Sequence, residues 1–364
     1  MSFTKLLQVK FIGAIVSFFA DNSFRIIRKI KNKRKTGNVV IISLHRLGDS
    51  IFTIPAIKKI LNHHKENVSL ICFSETIGIF EIALNNIQYV GLSHDDFYLA
   101  DRIASGFAKK QLKILDPGLI YDLTGCITSA SLIYNTTAEK IIGINDNIYK
   151  SIFTCFIPKK ITNHITDIYN NVVRSLPDLE SENIYSDNII PNGVILIHPF
   201  AGWRAKEWGL KKFIELTLLL KKDYDFSFIL PGDKIDKNTI DTLKENDISF
   251  HITNNVEELI FAIKNCSVFI GNDSGPIHIA NLLGKPTFTV YGPTNPEIHK
   301  PLIGSNKYVI ERIKCSPGKE EKMCFTLGGQ IGCPSFECMN LLSIDKVKLE
   351  LVKFLTEIKL GINL

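Results

Sequence analysis

Two neighbouring apolar runs of the chain each stop at a short segment of small, polar and hydroxyl-bearing residues. The first run ends at "GNDSG", residues 271–275, and the second ends at "GPTNP", residues 292–296. In an open parallel sheet, ligands bind where strands end, because backbone N–H groups of the following helices point outward there. The glycines would let the backbone approach a phosphate closely, and the hydroxyls would donate to it. The pattern predicts a phosphate site at Ser274, Gly275, Gly292 and Thr294. Asp273, at the strand end, would accept hydrogen bonds from a nucleoside or from the loop itself.

Each segment also has a purely structural explanation. Ser274 would cap a helix, Pro276 would occupy its first turn and Gly284 would end it. Gly292-Pro293 would form a simple turn. The segments match neither the G-x-G-x-x-G nor the Walker pattern, so they do not favour a nicotinamide cofactor or a P-loop. Two adjacent strand ends that are both rich in donors favour phosphate binding over two unrelated turns.

A third strand end carries a lysine. Lys206 lies in "LIHPFAGWRAKEWGL", residues 196–210, on a glycine-containing loop before a helix. A cation there would stabilise the negative charge that collects on a departing diphosphate. The alternative is a solvated lysine, the usual state of this residue type. Trp208 fits packing of the helix against the sheet better than stacking on a base.

The segment "SLHRLGDSIFTIPAI", residues 43–57, makes the same switch from strand to helix. By local sequence alone, Asp49 at the turn fits a helix N-cap. Opposite a nucleotide site in another domain, the same carboxylate would suit a general base for an acceptor hydroxyl. Pro55 predicts a helix that starts late or kinks at that residue.

The surrounding elements predict two α/β domains. "NVVIIS", residues 38–43, and "GVILIHP", residues 193–199, are continuous apolar runs typical of buried parallel strands, and each opens a series of alternating strands and helices. The second series includes a helix near residues 256–264, and a final helix near residues 344–358 is compatible with either domain. The polar segment 176–193, with a proline near each end, is interpreted as the linker. The predicted fold class is therefore α/β, with two doubly wound Rossmann-like domains.

The composition is that of a soluble globular protein, with 45% hydrophobic and 22% charged residues and a net charge of +6. The charge is concentrated near the N-terminus, in a basic cluster made of Arg25, Arg28, Lys29, Lys31, Lys33, Arg34 and Lys35. A nucleic-acid interface would need stacking aromatics beside these cations, and Phe24 stands alone there, so nucleic acid is not an expected partner.

An apolar segment, residues 6–20, precedes the basic cluster. It contains Gln8 and Lys10 and is short for a bilayer span, and Phe18 occupies the place where a signal peptide needs a small residue. An interfacial helix with a polybasic tail, held on an anionic membrane surface, fits best. A helix that docks on the protein is the alternative. The expected location is cytoplasmic, at the inner face of the membrane.

Eight cysteines fall into two groups. Cys72, Cys126, Cys155 and Cys266 are scattered through apolar segments, which is typical of buried reduced thiols. The late group is spaced by eight, eight and four intervening residues, which matches no standard zinc pattern. Zinc, a disulfide and ordinary loop thiols all stay open for this group, which comprises Cys315, Cys324, Cys333 and Cys338.

These segments together resemble glycosyltransferase family 9, the bacterial family that contains the lipopolysaccharide heptosyltransferases. The matching pieces are "RLGDSIFTIPAI", "HPFAGWRAKEW", "FIGNDSGPIHIANLLGKPTFTVYGPTNP" and the tail ending "CMNLLSIDKV", in the family's order. The resemblance implies the GT-B fold, with two Rossmann-like domains that face each other across a cleft. It divides the chain into an extension outside the resemblance (residues 1–36), an acceptor-side domain (37–187) and a nucleotide-sugar-binding domain with the cysteine-bearing tail (188–364).

The resemblance also implies an inverting transfer of a sugar, most often heptose from ADP-heptose, onto a lipid-linked glycan such as the lipopolysaccharide core. Asp49 resembles the family's catalytic base, and Lys206 resembles the lysine at the donor phosphate. No cofactor and no divalent metal are implied, because fixed cations and helix N-termini neutralise the leaving group. The implied donor pocket comprises Asp273, Ser274, Gly275, His278, Gly292, Pro293 and Thr294.

One position departs from the family pattern. After "FILPG", where some members have a glutamate that holds the nucleoside, this chain has Asp233-Lys234-Ile235-Asp236, which puts that contact in doubt. Two other functions stay open: a sugar-nucleotide 2-epimerase of the same architecture, and a non-catalytic protein that binds lipid surfaces. The first needs several carboxylates around a sugar ring, a set that we do not find. The presence of both Asp49 and Lys206 argues against the second.

Overall fold

The computed structural model describes residues 18–19, 21–30, 33–65, 67–145, 149–178, 190, 193–324, 333 and 335–358. The chain divides into two compact units, Met1–Glu180 and Ser181–Leu364. The domain boundary predicted between residues 187 and 188 lies outside the described residues.

The first unit is built on a six-stranded parallel sheet in the order β3-β2-β1-β6-β7-β8. All five residues of β1 are buried, as expected for a central strand with both faces covered. The strands are β1 (Val39–Ser43), β2 (Val68–Phe73), β3 (Gln88–Leu92), β6 (Leu119–Asp122), β7 (Lys140–Asn145) and β8 (Cys155–Pro158), and an antiparallel hairpin adds β4 (Phe97–Tyr98) and β5 (Ile103–Ala104).

The longest described helix of this unit carries the predicted catalytic carboxylate. It runs over Leu47–His64 and continues through Pro55, so the expected late start is wrong. Arg46 occupies the N-cap position without a side-chain cap, and Asp49 lies in the first turn. The N-cap interpretation of Asp49 is therefore also wrong. This helix is α2, and the others are α3 (Ile77–Ala83), α4 (Gly106–Ile114), α5 (Ile127–Ile133) and α6 (Thr166–Asn170).

Residues 21–30 form helix α1, which docks on the first unit. Arg28 is buried, and its guanidinium donates to the carbonyls of Thr136 and Ala138 at 2.9 and 3.2 Å. The ring of Phe24 stacks on that of Tyr134 with 4.8 Å between centroids. This part of the N-terminal segment is thus a docked helix. The apolar segment expected to enter a membrane lies mostly outside the described residues.

The second unit repeats the architecture, with a six-stranded parallel sheet in the order β11-β10-β9-β12-β13-β14. The two central strands, β9 and β12, are buried throughout. The strands are β9 (Ile195–His198), β10 (Phe226–Pro231), β11 (Ser249–Thr253), β12 (Val268–Asn272), β13 (Thr287–Tyr291) and β14 (Asn306–Ile310).

The helices of this unit follow the predicted pattern closely. The helices expected near residues 256–264 and 344–358 are Val256–Lys264 and Ile344–Glu357. The last of them packs Phe354 against Phe288 of β13 in a large buried cluster. In chain order the helices are α7 (Leu210–Leu220), α8 (Lys237–Glu245), α9 (Val256–Lys264), α10 (Gly275–Leu282), α11 (Pro296–His299), α12 (Glu337–Asn340) and α13 (Ile344–Glu357).

Within the described part of the chain, no helix is both long and apolar enough to span a bilayer.

Candidate functional site

The two polar segments singled out from the sequence lie side by side in the second unit. β12 and β13 pair in parallel, so their carboxyl ends reach the same edge of the sheet. The backbone N–H of Asp273, directly after β12, donates to the carbonyl of Val290 near the end of β13 at 3.2 Å. The predicted adjacency of two strand ends is confirmed.

Asp273 is the centre of this edge, with only 3% of its surface exposed. Its Oδ2 accepts hydrogen bonds from Lys206 Nζ at 2.7 Å and from Thr294 Oγ1 at 2.6 Å. His278 Nε2, on α10, lies 3.8 Å from the other carboxylate oxygen. Four predicted site residues from three strand-end segments therefore meet at one carboxylate. We call Lys206, Asp273, His278 and Thr294 the donor cluster.

The charge of Asp273 is fixed by its neighbours. Burial alone would raise the pKa of this carboxyl, but the Lys206 ammonium, followed by the hydrogen bond and charge of His278, holds its pKa far below the usual range. Asp273 is thus an ionised carboxylate that accepts hydrogen bonds from the loop itself, one of the two roles open to it from sequence. Lys206 is its counter-ion, so its interpretation as an ordinary solvated lysine is wrong.

Lys206 is held in place from two further sides. Lys206 is the last residue of a short 3-10 turn, Arg204–Lys206. The backbone N–H of Lys206 donates to the carbonyl of Trp203 at 2.9 Å. Its ammonium lies 5.3 Å from the centre of the Trp203 ring, which is 47% exposed. The Lys206 side chain keeps 19% exposure, which leaves part of the cation accessible to an anionic ligand.

Asn272, which the sequence analysis did not single out, ties the end of β12 to the segment that follows β9. Its Oδ1 accepts from the backbone N–H of Trp208 at 3.0 Å, and its Nδ2 donates to the carbonyl of Pro199 at 2.7 Å. Trp208 itself is buried, lies edge-on to Phe213, and donates its indole N–H to a backbone carbonyl at 2.9 Å. Its predicted packing role is confirmed. The burial of the Asn272 amide is visible only in the structure, and no sequence pattern marks it.

Helix α10 begins at the donor cluster. Ser274 is at its N-cap position, but the hydroxyl donates to the carbonyl of Asn272 at 3.2 Å instead of capping the helix. Gly275 opens the helix, and Pro276 lies in its first turn. The first N–H groups of a helix generally suit an anion, but here Pro276 has no N–H and that of Ile277 donates to the carbonyl of Ser274 at 3.2 Å, so the N–H of Gly275 is the donor that this end offers. Gly284 follows the helix with φ of +74°, as predicted for its end.

Gly292 has a steric reason to be glycine. A Cβ at this position would lie 2.9 Å from three side-chain atoms of Met339, closer than real contacts allow.

Hydrogen bonds hold the rest of the loop after β13. The carbonyl of Pro293 accepts from the N–H of Cys324 at 2.8 Å. Asn295, another residue that the sequence analysis did not single out, donates its Nδ2 to three carbonyls of residues 318–321 at 3.0–3.1 Å. The loop after β13 is therefore rigidly held.

The position that departs from the family pattern is occupied by loop-bracing residues. Lys234 Nζ donates to the carbonyl of Ala201 and lies 3.8 Å from Glu207 Oε1. Glu207 in turn accepts from the N–H of Ala201 at 2.9 Å. Asp233 is exposed.

In the first unit, Asp49 is exposed at the amino end of α2, beside the carboxyl end of β1. The charge of Asp49 affects the pKa values of two neighbouring side chains, His45 and Tyr169. Burial lowers the pKa of His45, and the Asp49 carboxylate partly offsets that effect. Burial and the same carboxylate raise the pKa of Tyr169. The sequence analysis did not single out His45, which lies four residues before Asp49. Its Nε2 lies 3.0 Å from the carbonyl of Leu123.

A second carboxylate of the first unit, Asp122, was also missed. It ends β6 with no exposed surface and accepts from the N–H groups of Thr124 and Gly125 at 2.9 and 3.2 Å and from Ser129 Oγ at 2.8 Å. Burial raises its pKa to about 6, against the lowering effect of these hydrogen bonds and of the Lys159 charge. Asp122 organises the loop after β6 and is not accessible to a substrate.

The family model for glycosyltransferase family 9 (heptosyltransferase) matches residues 108–326, more than half of the chain. The chain belongs to glycosyltransferase family 9. The resemblance predicted from the sequence is confirmed.

Curated heptosyltransferases match parts of the chain. The lipooligosaccharide heptosyltransferase 2 of Haemophilus influenzae is 34% identical over 82 residues, which cover 22% of this chain and 23% of the relative. That of Campylobacter jejuni serotype O:6 is 27% identical over 180 residues, 46% of this chain and 54% of the relative. The chain thus spans between about a quarter and about half of the length of these relatives.

Solved structures that resemble this chain cover more of it. The E. coli ADP-heptose LPS heptosyltransferase II superimposes with a TM-score of 0.65 at 13% identity, over 88% of this chain and 99% of that one. The glycosyl transferase family 9 protein from Veillonella parvula superimposes with a TM-score of 0.71 at 17% identity, over 90% and 99%. These likenesses show the shared fold, and the predicted GT-B class is confirmed.

Proposed function

We propose that this family 9 protein is an inverting glycosyltransferase that moves heptose from ADP-heptose onto a lipopolysaccharide core or a related glycan. The observation that carries the proposal is the donor cluster, in which an ionised, buried Asp273 holds Lys206 and Thr294 at the carboxyl ends of adjacent strands. The names of the curated relatives and of the E. coli structure support heptose as the sugar and ADP as its carrier.

In the proposed reaction, an acceptor oxygen attacks the anomeric carbon while the bond to the diphosphate breaks. Asp49 takes the proton of the acceptor hydroxyl, since it is an exposed carboxylate at a strand end. Lys206 and the N–H of Gly275 at the start of α10 stabilise the negative charge on the leaving diphosphate. Because these groups already supply positive potential, the proposed transfer step needs no divalent metal and no cofactor.

Asp273 has a positioning role in this proposal. Both of its oxygens face groups of the protein, so it contacts the donor through Lys206 and Thr294 instead of directly. A buried anion beside the ammonium keeps Lys206 charged and fixed before the donor arrives. Such preorganisation avoids moving the cation during the reaction.

The test compares Asp49→Asn with Lys206→Ala in the full-length protein. Asp49→Asn should lower kcat by about 10²–10⁴-fold and leave ADP affinity nearly unchanged, because a proton acceptor acts only in the reaction. Lys206→Ala should weaken ADP binding and also slow transfer, because its charge faces the diphosphate in both complexes. Calorimetry with ADP, UDP and GDP gives the nucleotide, and turnover of ADP-heptose gives the sugar.

Two exposed residues serve as matched controls. Asp95→Asn in the first unit and Lys211→Ala on α7 remove the same charges at exposed positions, and both should leave kcat and ADP affinity unchanged. Equal and small effects of Asp49→Asn and Lys206→Ala would refute the proposed roles. Tighter binding of UDP or GDP than of ADP would refute the proposed donor.

We extend the proposal to the membrane, where a lipid-linked acceptor would be presented. The outward side of the N-terminal helical segment is unusually apolar: Phe19, Ile26 and Ile30 are 65%, 55% and 76% exposed and recur at helical spacing. Arg25 and Lys29 are exposed beside them. An apolar stripe flanked by cations has the chemistry of a helix that lies on an anionic bilayer. The docked side of α1 would then hold the first unit at that surface.

Liposome sedimentation tests this extension. Since each basic residue near an anionic surface contributes about 1 kcal/mol, Arg25→Gln/Lys29→Gln should weaken binding to phosphatidylglycerol vesicles roughly 30-fold at low salt. Adding Ile26→Ser/Ile30→Ser to that variant should weaken vesicle binding further. Leu349→Ser, which changes an exposed leucine of α13, should leave vesicle binding unchanged. If the full-length protein does not bind these vesicles at low salt, the extension is wrong and α1 is only a docking helix.

A further inference from the structure

The two tryptophans of the chain have opposite surroundings. Trp208 is buried, with 3% of its surface exposed, and its ring lies edge-on to Phe213. Trp203, on the loop after β9, is 47% exposed. A large aromatic ring that is half open to solvent gains little from burial, and such rings are enriched where proteins bind other molecules. The contacts of Trp203 indicate which kind of molecule it fits.

Trp203 lies against the cation of the donor cluster. Lys206 Nζ is placed over the indole ring, 5.3 Å from its centre, and donates to Asp273 at 2.7 Å. Cations are attracted to the face of an aromatic ring, and most strongly to that of tryptophan. The ammonium therefore lies between a buried carboxylate and an exposed ring. An anion that reaches Lys206 also arrives beside Trp203.

The backbone on both sides of Trp203 is held by hydrogen bonds. The carbonyl of Trp203 accepts from the N–H of Lys206 at 2.9 Å. Two residues earlier, the N–H of Ala201 donates to Glu207 Oε1 at 2.9 Å, and the carbonyl of Ala201 accepts from Lys234 Nζ. A ring on a loop that is already ordered stacks on a ligand at a low entropic cost.

The loop also leaves open space beside the ring. A Cβ at Gly202 would have no atom within 4 Å apart from those of its neighbours in the chain. Trp203 is thus presented next to free volume, and a flat ligand group can approach without moving the loop.

A nucleobase is the part of the proposed donor that matches this ring. Every base has a flat π face, so bases stack on aromatic side chains whatever hydrogen-bonding groups they carry. A single ribose separates the base of a nucleoside diphosphate from its phosphates, so phosphates bound at Lys206 leave the base close to Trp203. The sugar at the other end must stay open to the acceptor, so an aromatic cover suits the nucleoside end.

We propose that Trp203 stacks on the nucleobase of the donor while Lys206, beside it, receives the diphosphate. This inference rests on the proposed function, because it needs a nucleoside diphosphate in the second unit. It adds a residue that neither the local patterns nor the family resemblance singled out. Since stacking accepts any base, Trp203 supplies affinity and leaves the choice of base to other groups.

Calorimetry of the full-length protein with ADP and with inorganic pyrophosphate tests this role. Trp203→Ala should weaken ADP binding about 5- to 150-fold, the range of one base stack, and leave pyrophosphate binding nearly unchanged. Trp203→Phe keeps a ring and should retain most of the ADP affinity. Phe261→Ala, which removes a ring that is 71% exposed on α9, is the control and should change neither affinity.

Indole fluorescence gives a second readout. ADP should change the emission of the wild-type protein, and pyrophosphate should change it less, because only a base covers the ring. In Trp203→Phe the buried Trp208 is the sole tryptophan, so this variant should bind ADP without the change in emission.

Equal weakening of ADP and pyrophosphate binding by Trp203→Ala would overturn the proposal, because Trp203 would then act only by holding Lys206. So would an unchanged ADP affinity of Trp203→Ala, or ADP binding to the wild-type protein without a change in emission. These outcomes leave the proposed function intact. Tighter binding of UDP or GDP than of ADP would refute the proposed donor and leave the stacking role intact, and a wild-type protein that binds no nucleotide would refute both.

Discussion

Replacing Asp273 by asparagine tests the view that one buried charge organises the donor cluster. The substitution keeps the shape of the side chain but removes its negative charge. Lys206 then loses its counter-ion at 2.7 Å. The NH₂ group of the asparagine, which only donates, can also take the place of the carboxylate oxygen that accepted from Lys206. We expect Asp273→Asn to destabilise the second unit more than any exposed Asp→Asn change.

The size of the effect follows from burial. Removing one partner of a buried ion pair costs about 3–5 kcal/mol. The lower end applies here, about 3 kcal/mol, because the Lys206 side chain keeps 19% exposure and is partly solvated. For a unit of this size, 1 kcal/mol corresponds to roughly 2–4 °C, so the unfolding midpoint should fall by roughly 6–12 °C at pH 7.

The pH dependence gives an independent check. An aspartate in an unfolded chain titrates near pH 3.9. The folded pKa of Asp273 is lower, so its stabilisation is complete above that pH and is lost as the pH falls below it. The difference in midpoint between wild type and Asp273→Asn should therefore persist from pH 5 to 8 and shrink below about pH 4.

Scanning fluorimetry of both proteins across this pH range is the assay, with Asp345→Asn as the control. Asp345 is exposed in the first turn of α13, where a carboxylate contributes about 0.5 kcal/mol through the helix dipole. A change of less than 2 °C for Asp273→Asn at pH 7, or a difference that grows as the pH falls, would refute the reasoning.

Three further expectations concern packing and charge. Gly292→Ala should destabilise the protein by about 1–3 kcal/mol in chemical denaturation. Adding Met339→Ala to that variant should relieve part of the steric strain at residue 292. A Gly292→Ala protein as stable as wild type would contradict the steric account. Trp208→Phe should cost about 1–2 kcal/mol through its lost indole hydrogen bond, while Trp203→Phe should cost far less. Asp122 has a raised folded pKa of about 6, so its neutral form is favoured and stability is lost as the pH rises through that value. Asp122→Asn should therefore gain stability relative to wild type between pH 4 and 7, on the order of 2–3 kcal/mol; a difference independent of pH would contradict this.

The sequence predicts the sheet edges well because apolar runs, strand ends and helix starts are local features. "VFIGN" and "TFTVY" identify β12 and β13, and the small polar residues after them identify the site edge. Proline at the start of α10 and glycine after it mark that helix from both ends. Lys206, Asp273 and Thr294 were therefore named from local patterns, whereas His278 was named only through the family resemblance.

What the sequence does not predict is which of these residues contact each other. Asp273 and Lys206 are 67 positions apart, and only the parallel pairing of β9 with β12 brings their loops together. Asn272 and Asn295 bridge loops in the same nonlocal way, and no pattern marks a bridging amide. Cys155 was expected to be buried because its neighbours are apolar, but β8 is an edge strand and leaves it exposed.

The docking of α1 decides where the chain can be shortened for work in solution. A protein that begins after residue 36 would uncover the face of Tyr134 and leave the carbonyls of Thr136 and Ala138 without the guanidinium of Arg28. Each buried acceptor that loses its partner costs about 1–3 kcal/mol, a large part of the margin by which a domain stays folded. A start near residue 21 keeps that clamp and removes the apolar segment ahead of it. The docked part of the N-terminal extension thus begins inside that extension, and residue 36 is not the place at which the fold begins.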